Sequence, residues 1–351
     1  MNLLVFRFSA MGDVALTHPV IKHVLSLNRK VHITLVTKPQ FEPLFAGLPR
    51  FTFLGVDFKK EYKGLRGLLR LHKKLMASGK YDYIIDLHDV VRTWVLCFLF
   101  SLKGVPTRRI DKGRTAKKNL TRKTKKIFKP LKHTTQRYLE VFSALGLTLE
   151  DIKIPSLHLA ANNPGGSLAK ILGSPRFTHK KIHWVGIAPF AKHPQKQWPI
   201  EKMQVLIQQM TEQKKILVLL FGGHDEANQL KGLAGDNDYV HNLAGKLSLA
   251  EEMEVIRQLD LMITMDSFNM HLAGLLGVKV ISIWGATHPH AGFGPLGENQ
   301  KLLVQIPHEA LSCRPCSVFG NRPCWRGDFA CMQQIAPETV MQKVKAVLKS
   351  P

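Results

Sequence analysis

The sequence predicts an α/β protein of two Rossmann-like domains facing each other across a cleft, each built on a mostly parallel sheet. Three observations carry this. Apolar runs of strand length alternate with amphipathic segments of helix length along the whole chain, the pattern that strand–helix–strand units leave in a sequence. The alternation runs in two series, separated at Ala161–Pro175 by a stretch rich in Asn, Pro, Gly and Ser, which marks a linker. The length of 351 residues is twice or more the ~150 residues of an ordinary domain. The expected boundaries are a first domain over 1–165, a second over 176–335, and a closing segment over 336–351 that packs back on the first.

In the first series, Leu3–Phe8 reads as a buried strand, Gly12–Leu27 as a helix and Val31–Val36 as a strand. Tyr83–Leu87 follows as a strand, then Val90–Leu102 and Thr134–Leu145 as helices, with Leu157–Leu159 a short apolar run before the linker. The second series opens with strand Ile182–Ala188, helix Ile200–Gln213 after Pro199, and strand Lys215–Phe221, which ends in Gly222-Gly223. Helices Asp225–Leu233 and Leu249–Leu259, strand Leu261–Met265, helix Ser267–Leu276 and strand Lys279–Trp284 complete it. Helix Pro337–Leu348 closes the chain, and no short repeat of solenoid type is present.

Composition excludes several classes. Hydrophobic residues at 45% and charged residues at 22% fit a globular protein rather than a disordered one. Arg7 and Asp13 interrupt the opening apolar run, which argues against a secretory signal. The longest apolar block, Trp94–Phe100, is about a third of the ~20 residues of a spanning helix. Five cysteines, an odd number, argue against a disulfide framework. A cytoplasmic protein is expected.

The formal charge of +24, from 50 Lys and Arg against 26 Asp and Glu, predicts an anionic partner. It is unevenly held: residues 1–150 carry 29 basic and 10 acidic side chains, a net +19, and 151–351 carry 21 and 16, a net +5. Much of it lies in Lys103–His133, where 13 of 31 residues are Lys or Arg, and in Lys59, Lys60, Lys63, Arg66, Arg70, Lys73 and Lys74.

Ligands of open α/β sheets bind where strands turn into helices. The first such turn, Phe8-Ser9-Ala10-Met11-Gly12-Asp13, lacks the G-x-G-x-x-G of a dinucleotide site. It places Asp13 at a helix start, as a cap or as a general base against an acceptor hydroxyl. In the second series, Lys196 precedes the Pro199-initiated helix, a position that suits a phosphate or a solvated loop lysine. Asp225 and Glu226 follow Gly222-Gly223 and are candidates for ribose hydroxyls, or ordinary helix-start acids. Asp266 and Ser267 open a helix whose amides are free for a pyrophosphate, with His271 one turn in. Thr287, in Gly285-Ala286-Thr287-His288-Pro289, ends the next strand on the same side.

Four segments together, LLVFRFSAMGDVALTHPVIKHVL, KQWP, NLAGKLSLAE and MDSFNMHLAGLLGVKVISIWGATHP, resemble the glycosyltransferase family 9 (heptosyltransferase) pattern in order and over nearly the whole chain. The resemblance implies a GT-B fold, a metal-independent inverting transfer without cofactor, ADP-heptose as donor, and the lipopolysaccharide inner core, Kdo or heptose, as acceptor. It matches Asp13 to the general base, Lys196 to the diphosphate lysine, Glu226 in preference to Asp225 to the ribose acid, and Asp266, Ser267 and His271 to the helix start beside the donor. Phe268 stands where many members have Gly, which limits close backbone approach to a phosphate. Ser9, Met11, Gly12, Arg66 and Arg92 are then expected on the acceptor side and Thr287 on the donor side.

With that reading the basic stretch would meet a lipid-anchored anionic acceptor and the anionic inner membrane face. Aromatic interleaving is sparse, Phe128 alone in Lys103–His133, so nucleic acid is the lesser alternative; another nucleotide-sugar donor is the nearer one. Cys313-x2-Cys316 is a zinc half-site, but Cys324 and Cys331 are too far apart for the second half. No metal is assigned. Asp236-Asn237-Asp238 resembles a metal-binding D-x-D and reads as a loop.

Overall fold

A computed structural model describes residues 1–149 and 182–349. The short run Leu157–Leu159, the expected linker Ala161–Pro175 and the boundaries at 165 and 176 lie outside the described residues. The described chain forms two compact units, one of Met1–Arg114 with 132–149, the other of Thr115–Leu131 with 182–349.

The first unit holds five strands: β1 (Asn2–Phe6), β2 (His32–Thr37), β3 (Phe51–Gly55), β4 (Tyr83–Asp86) and β5 (Thr107–Arg109). They pair in the order β3-β2-β1-β4-β5, every pair parallel. Leu3, Leu4, Val5 and Phe6 are fully buried, because a parallel sheet is covered on both faces. The helix expected over Gly12–Leu27 is two, α1 (Met11–Ala15) and α2 (Thr17–Leu27). Pro19 explains the break: it cannot donate to the Ala15 carbonyl, and its ring crowds that oxygen. Helices α3 (Gly64–Ser78) and α4 (Val91–Ser101) bury Leu68, Leu71, Leu75, Leu96 and Phe100 in one core. Helix α6 (Thr134–Ser143) completes this unit, while α5 (Arg114–Thr121), which precedes it in the chain, lies in the second from Thr115 on.

The second unit holds β6 (His183–Ala188), β7 (Ile216–Leu220), β8 (Val240–Asn242), β9 (Leu261–Met265), β10 (Val280–Trp284) and β11 (Leu303–Gln305), in the order β11-β10-β9-β6-β7-β8 and again all parallel. Its helices are α7 (Ile200–Thr211), α8 (Ala227–Ala234), α9 (Leu249–Ile256), α10 (Phe268–Leu275), the single turn α11 (Ala330–Gln333) and α12 (Pro337–Lys349). Asp236-Asn237-Asp238 lies in a turn before β8.

Two sequence expectations are corrected. The closing helix does not spend its apolar face on the first domain: Val340, Val344 and Val347 are buried in the second unit's core, and α12 packs on α7, β9 and β10. An amphipathic helix of this length has one apolar stripe, and here it is used locally. The basic stretch is not one surface of the first domain either. Residues Thr115–Leu131 belong to the second unit, where Lys126 Nζ donates to the carbonyls of Ser312, Cys313 and Pro315 at 2.9, 2.8 and 3.0 Å. Phe128 stacks on His308 at 3.8 Å, and Lys117 lies 4.2 Å over the Phe293 ring.

His18 in α2 is 2% exposed, its Nδ1 has no hydrogen-bond partner, and burial with the nearby Lys22 charge holds its pKa down at about 3. The unfolded chain takes up this proton near pH ~6.5, so the stability is complete above that value and is lost as pH falls toward 3. The melting temperature should fall as pH drops from about 6.5 to about 4, and less steeply in His18→Leu. Parallel curves for the two proteins by circular dichroism would remove His18 from the explanation.

Candidate functional site

In the first unit the loops after β1 and β4 meet around a buried cation. Arg7 is 5% exposed. Its Nη1 donates to Leu87 O at 2.6 Å, its Nη2 lies 2.6 Å from Asp13 Oδ2, and its guanidinium carbon sits 5.7 Å from the Tyr138 ring centre. Tyr138 on α6 donates to Asp13 O at 3.3 Å, and burial pushes its phenol pKa up. Asp13 Oδ2 also accepts from Ala10 N at 3.3 Å. Both contacts fall on one oxygen. Oδ1 takes part in neither, and the side chain is 20% exposed. The cap and the presented carboxylate are therefore the same residue in two capacities.

His88, after β4, accepts from Phe8 N at Nδ1 and meets Ser9 Oγ at Nε2, both at 3.4 Å. With Nδ1 accepting, a neutral ring carries its proton on Nε2 and donates to Ser9. Burial first, then the charges of Arg7, Lys112, Arg92 and Lys38, hold the His88 pKa at about 3. The side chain is thus a neutral imidazole ringed by cations. The neighbouring acids are tied down: Asp86 Oδ2 accepts from Arg109 at 3.0 Å, its Oδ1 accepts from His88 N and Asp89 N, and Asp89 pairs with Arg114 at 2.5 Å.

Of the residues expected on the acceptor side, Ser9, Met11 and Gly12 lie with Asp13 at the entry to α1. Arg92 lies over the Phe58 ring at 5.4 Å, and Phe58 packs on Phe8 at 4.5 Å. Arg66 stands exposed on α3 and makes none of these contacts.

In the second unit the expected residues follow β6, β7, β9 and β10, the four central strands. Lys196 Nζ lies 3.0 Å from Asp266 Oδ2, with 15% and 9% of the side chains exposed. The Lys196 stem runs across Gly320, where a Cβ would stand 2.5 Å from Lys196 Cγ. Ser267 stands at the N-cap position of α10 without a capping side-chain bond, its Oγ lying 2.9 Å from Thr264 Oγ1 instead. Phe268 is the first residue of α10, and His271 is buried within it. Thr287 is buried, and its hydroxyl has no hydrogen-bond partner. Glu226 Oε2 accepts from Gly223 N at 2.8 Å, while Asp225 is exposed. Glu226 is thus oriented by its turn and Asp225 is not.

Sequence reasoning did not single out Arg314. It is 1% exposed and donates to the carbonyls of Gly285, Trp284, Thr287 and Ile306 and to Gln305 Oε1, which fixes the loop after β10. Burial lowers its pKa to about 10. Cys313, Cys316, Cys324 and Cys331 line a pocket beside it as free thiols, and burial pushes the Cys331 thiol up to about 12. Among the described residues, no group of three or more His, Cys, Asp or Glu is arranged to hold a metal ion.

The family model for glycosyltransferase family 9 (heptosyltransferase) matches residues 68–319. The chain belongs to this family. A lipooligosaccharide heptosyltransferase 2 of Campylobacter jejuni is 31% identical over 138 residues, 38% of this chain. That match spans only 41% of the Campylobacter relative. One of the same name from Haemophilus influenzae is 23% identical over 360 residues, 99% of each chain. The solved structure of Escherichia coli heptosyltransferase WaaC with ADP superposes with a TM-score of 0.68 at 18% identity, over 99% of this chain and 100% of that one. The fold of this glycosyltransferase is therefore of GT-B type, with a parallel sheet in each unit.

Gly320 has φ +76°, and a methyl group there meets the Lys196 stem. Gly320→Ala should cost about 1–3 kcal/mol of unfolding free energy, from the left-handed backbone and the displaced lysine. Denaturant titration measures this, and an unchanged midpoint would mean that the Lys196–Gly320 packing is not held in solution.

Proposed function

We propose that this chain transfers heptose from ADP-heptose to a hydroxyl of Kdo or heptose in the lipopolysaccharide inner core, by an inverting reaction that needs neither metal nor cofactor. The observation that carries the reading is Asp13, fixed through Oδ2 by buried Arg7, with Oδ1 in neither of these contacts and the side chain 20% exposed. A general base needs this arrangement: a carboxylate held in place, with one oxygen available to the reacting hydroxyl.

In this reading the acceptor O–H gives its proton to Asp13 Oδ1 as its oxygen bonds to the anomeric carbon of the donor. The bond from that carbon to the diphosphate oxygen breaks, and ADP leaves with the electron pair. Lys196, oriented by Asp266, and the start of α10 oppose the charge that develops on the diphosphate. Glu226 binds the ribose hydroxyls, and Ser267, His271 and Thr287 contact the donor. The cations around His88 suit an acceptor that bears carboxylates or phosphates. The first unit then serves the acceptor and the second the donor.

The names of the relatives support the lipopolysaccharide acceptor, and the ADP complex of the Escherichia coli relative supports an adenine nucleotide. No helix of the described residues is long and apolar enough to cross a membrane. The expected location is the cytoplasmic face of the inner membrane, held there peripherally.

Asp13→Asn should lower kcat by about a hundredfold or more while ADP affinity stays within about twofold; near-normal turnover would end the general-base assignment. Lys196→Ala should weaken ADP binding in calorimetric titration by about tenfold or more, and unchanged binding would remove Lys196 from the donor site. ADP and ADP-sugars should raise the melting temperature and UDP or GDP compounds should not. Stabilisation by UDP alone would favour another donor sugar.

A further inference from the structure

Helices α3 and α4 lie side by side over one core, where His72 of α3 meets the Phe100 ring edge-on at 4.7 Å. Their outer faces are unusually apolar. Val91, Trp94, Phe98 and Leu102 are all exposed, Val91 and Leu102 at 66% and Phe98 at 61%. At a helical 100° per residue these four fall within an arc of about 80°. Leu65, Leu69 and Met76 of α3 are exposed as well, within an arc of about 40° on the flank that His72 shares. Single exposed apolar residues need no explanation, but a continuous patch on two adjoining helices marks a contact surface.

Charge says what contacts it. Beyond the apolar stripe, the far flank of α3 carries exposed Lys63, Arg66, Arg70 and Lys73, and no acidic residue occurs in α3 or α4. Apolar side chains with an aromatic pair, bordered by cations and free of acids, complement the interface of an anionic bilayer rather than a protein surface of mixed charge. The patch also starts at the acceptor side. Trp94 Nε1 donates to Asp89 Oδ1 at 2.8 Å, directly after the β4 loop that carries His88.

We propose that the outer face of α3 and α4 docks this protein on an anionic lipid bilayer, with Val91, Trp94, Phe98 and Leu102 in the interface and the basic flank of α3 on the headgroups. The choice of lipid rests in part on the lipid-linked acceptor proposed above; the patch itself does not. Docking here brings the β4 loop to the membrane plane, where a lipid-anchored acceptor is confined.

The test is sedimentation of the full-length protein with extruded vesicles of phosphatidylglycerol and phosphatidylethanolamine, against vesicles of phosphatidylcholine alone. Binding should favour the anionic vesicles, and Phe98→Ser with Leu102→Ser should weaken it by about tenfold or more. Leu65→Ser with Leu69→Ser is a second variant should the first melt early. Brominated acyl chains should quench tryptophan emission in the wild type and less in Trp94→Phe, because Trp198 and Trp284 are buried and the half-buried Trp184 and Trp325 belong to the second unit. Equal binding by the serine variants, or no quenching, would overturn insertion. So would a dimer in light scattering that the serine variants dissociate, since a second copy would then cover the patch. Turnover on a delipidated soluble acceptor should be unchanged in these variants. Loss of vesicle binding with turnover intact therefore separates this proposal from the assignment of the reaction.

Discussion

A buried guanidinium cannot be left unpaired, and Arg7 organises the first unit around that requirement. It lies just beyond the last residue of the central strand, on a chain segment whose neighbours are fully buried. The guanidinium's partners come from three places: Leu87 after β4, Asp13 in α1 and the Tyr138 ring in α6, while the Arg7 backbone N–H donates to Val36 O in β2 at 3.3 Å. Removing Asp13 would strand charge in a dry site. The position of Asp13 is thus a consequence of where Arg7 can be neutralised, and the proposed catalytic geometry inherits the rigidity of the core.

The second unit solves a similar problem with neutral acceptors. Arg314 reaches into the loop after β10 and takes up carbonyls that no helix or strand can satisfy. Unpaired backbone acceptors in a buried loop cost about as much as a lost hydrogen bond each, so one side chain with five donors holds the loop's whole course. Thr287 keeps its buried hydroxyl without a partner on that loop. Lys196 and Asp266 satisfy each other meanwhile. In the reading proposed above, the diphosphate would meet a lysine whose position Asp266 already fixes.

Strand and helix order was legible because each unit alternates two hydrophobic periods, and β9 falls at the expected residues, Leu261–Met265. Elements at the sheet margin were not. β3 is half-exposed along its length, and α3 presents cations among its leucines, so neither shows a clean period. Most site residues read from the sequence, Asp13, Lys196, Glu226, Asp266, Ser267 and Thr287 among them, sit in the segments that follow strand ends, where the topology of parallel sheets puts ligands, whereas Arg66, Arg92 and His271 lie within helices. What supports them was missed for a physical reason. Arg7 and Arg314 act through contacts 80 and 29 residues away in sequence, and no local spacing encodes such a partner. A cation interrupting an apolar strand was the one available signal for Arg7.

The net charge of +24 changes meaning once its members are placed. Arg7, Arg109 and Arg114 are engaged with Asp13, Asp86 and Asp89. Lys126 is spent on three carbonyls, Lys117 is buried against Phe293, and Lys132 is paired with Glu140. A charge neutralised within a few ångströms adds little to a field felt a Debye length, ~8 Å, away. Lys63, Arg66, Arg70 and Lys73 on the far flank of α3 are exposed and have no acid beside them in the helix, so their charge acts at that range undiminished by a local counter-charge. Sequence density and electrostatic reach are different quantities here, because a cation held beside a carboxylate counts fully in the sequence and little at a distance.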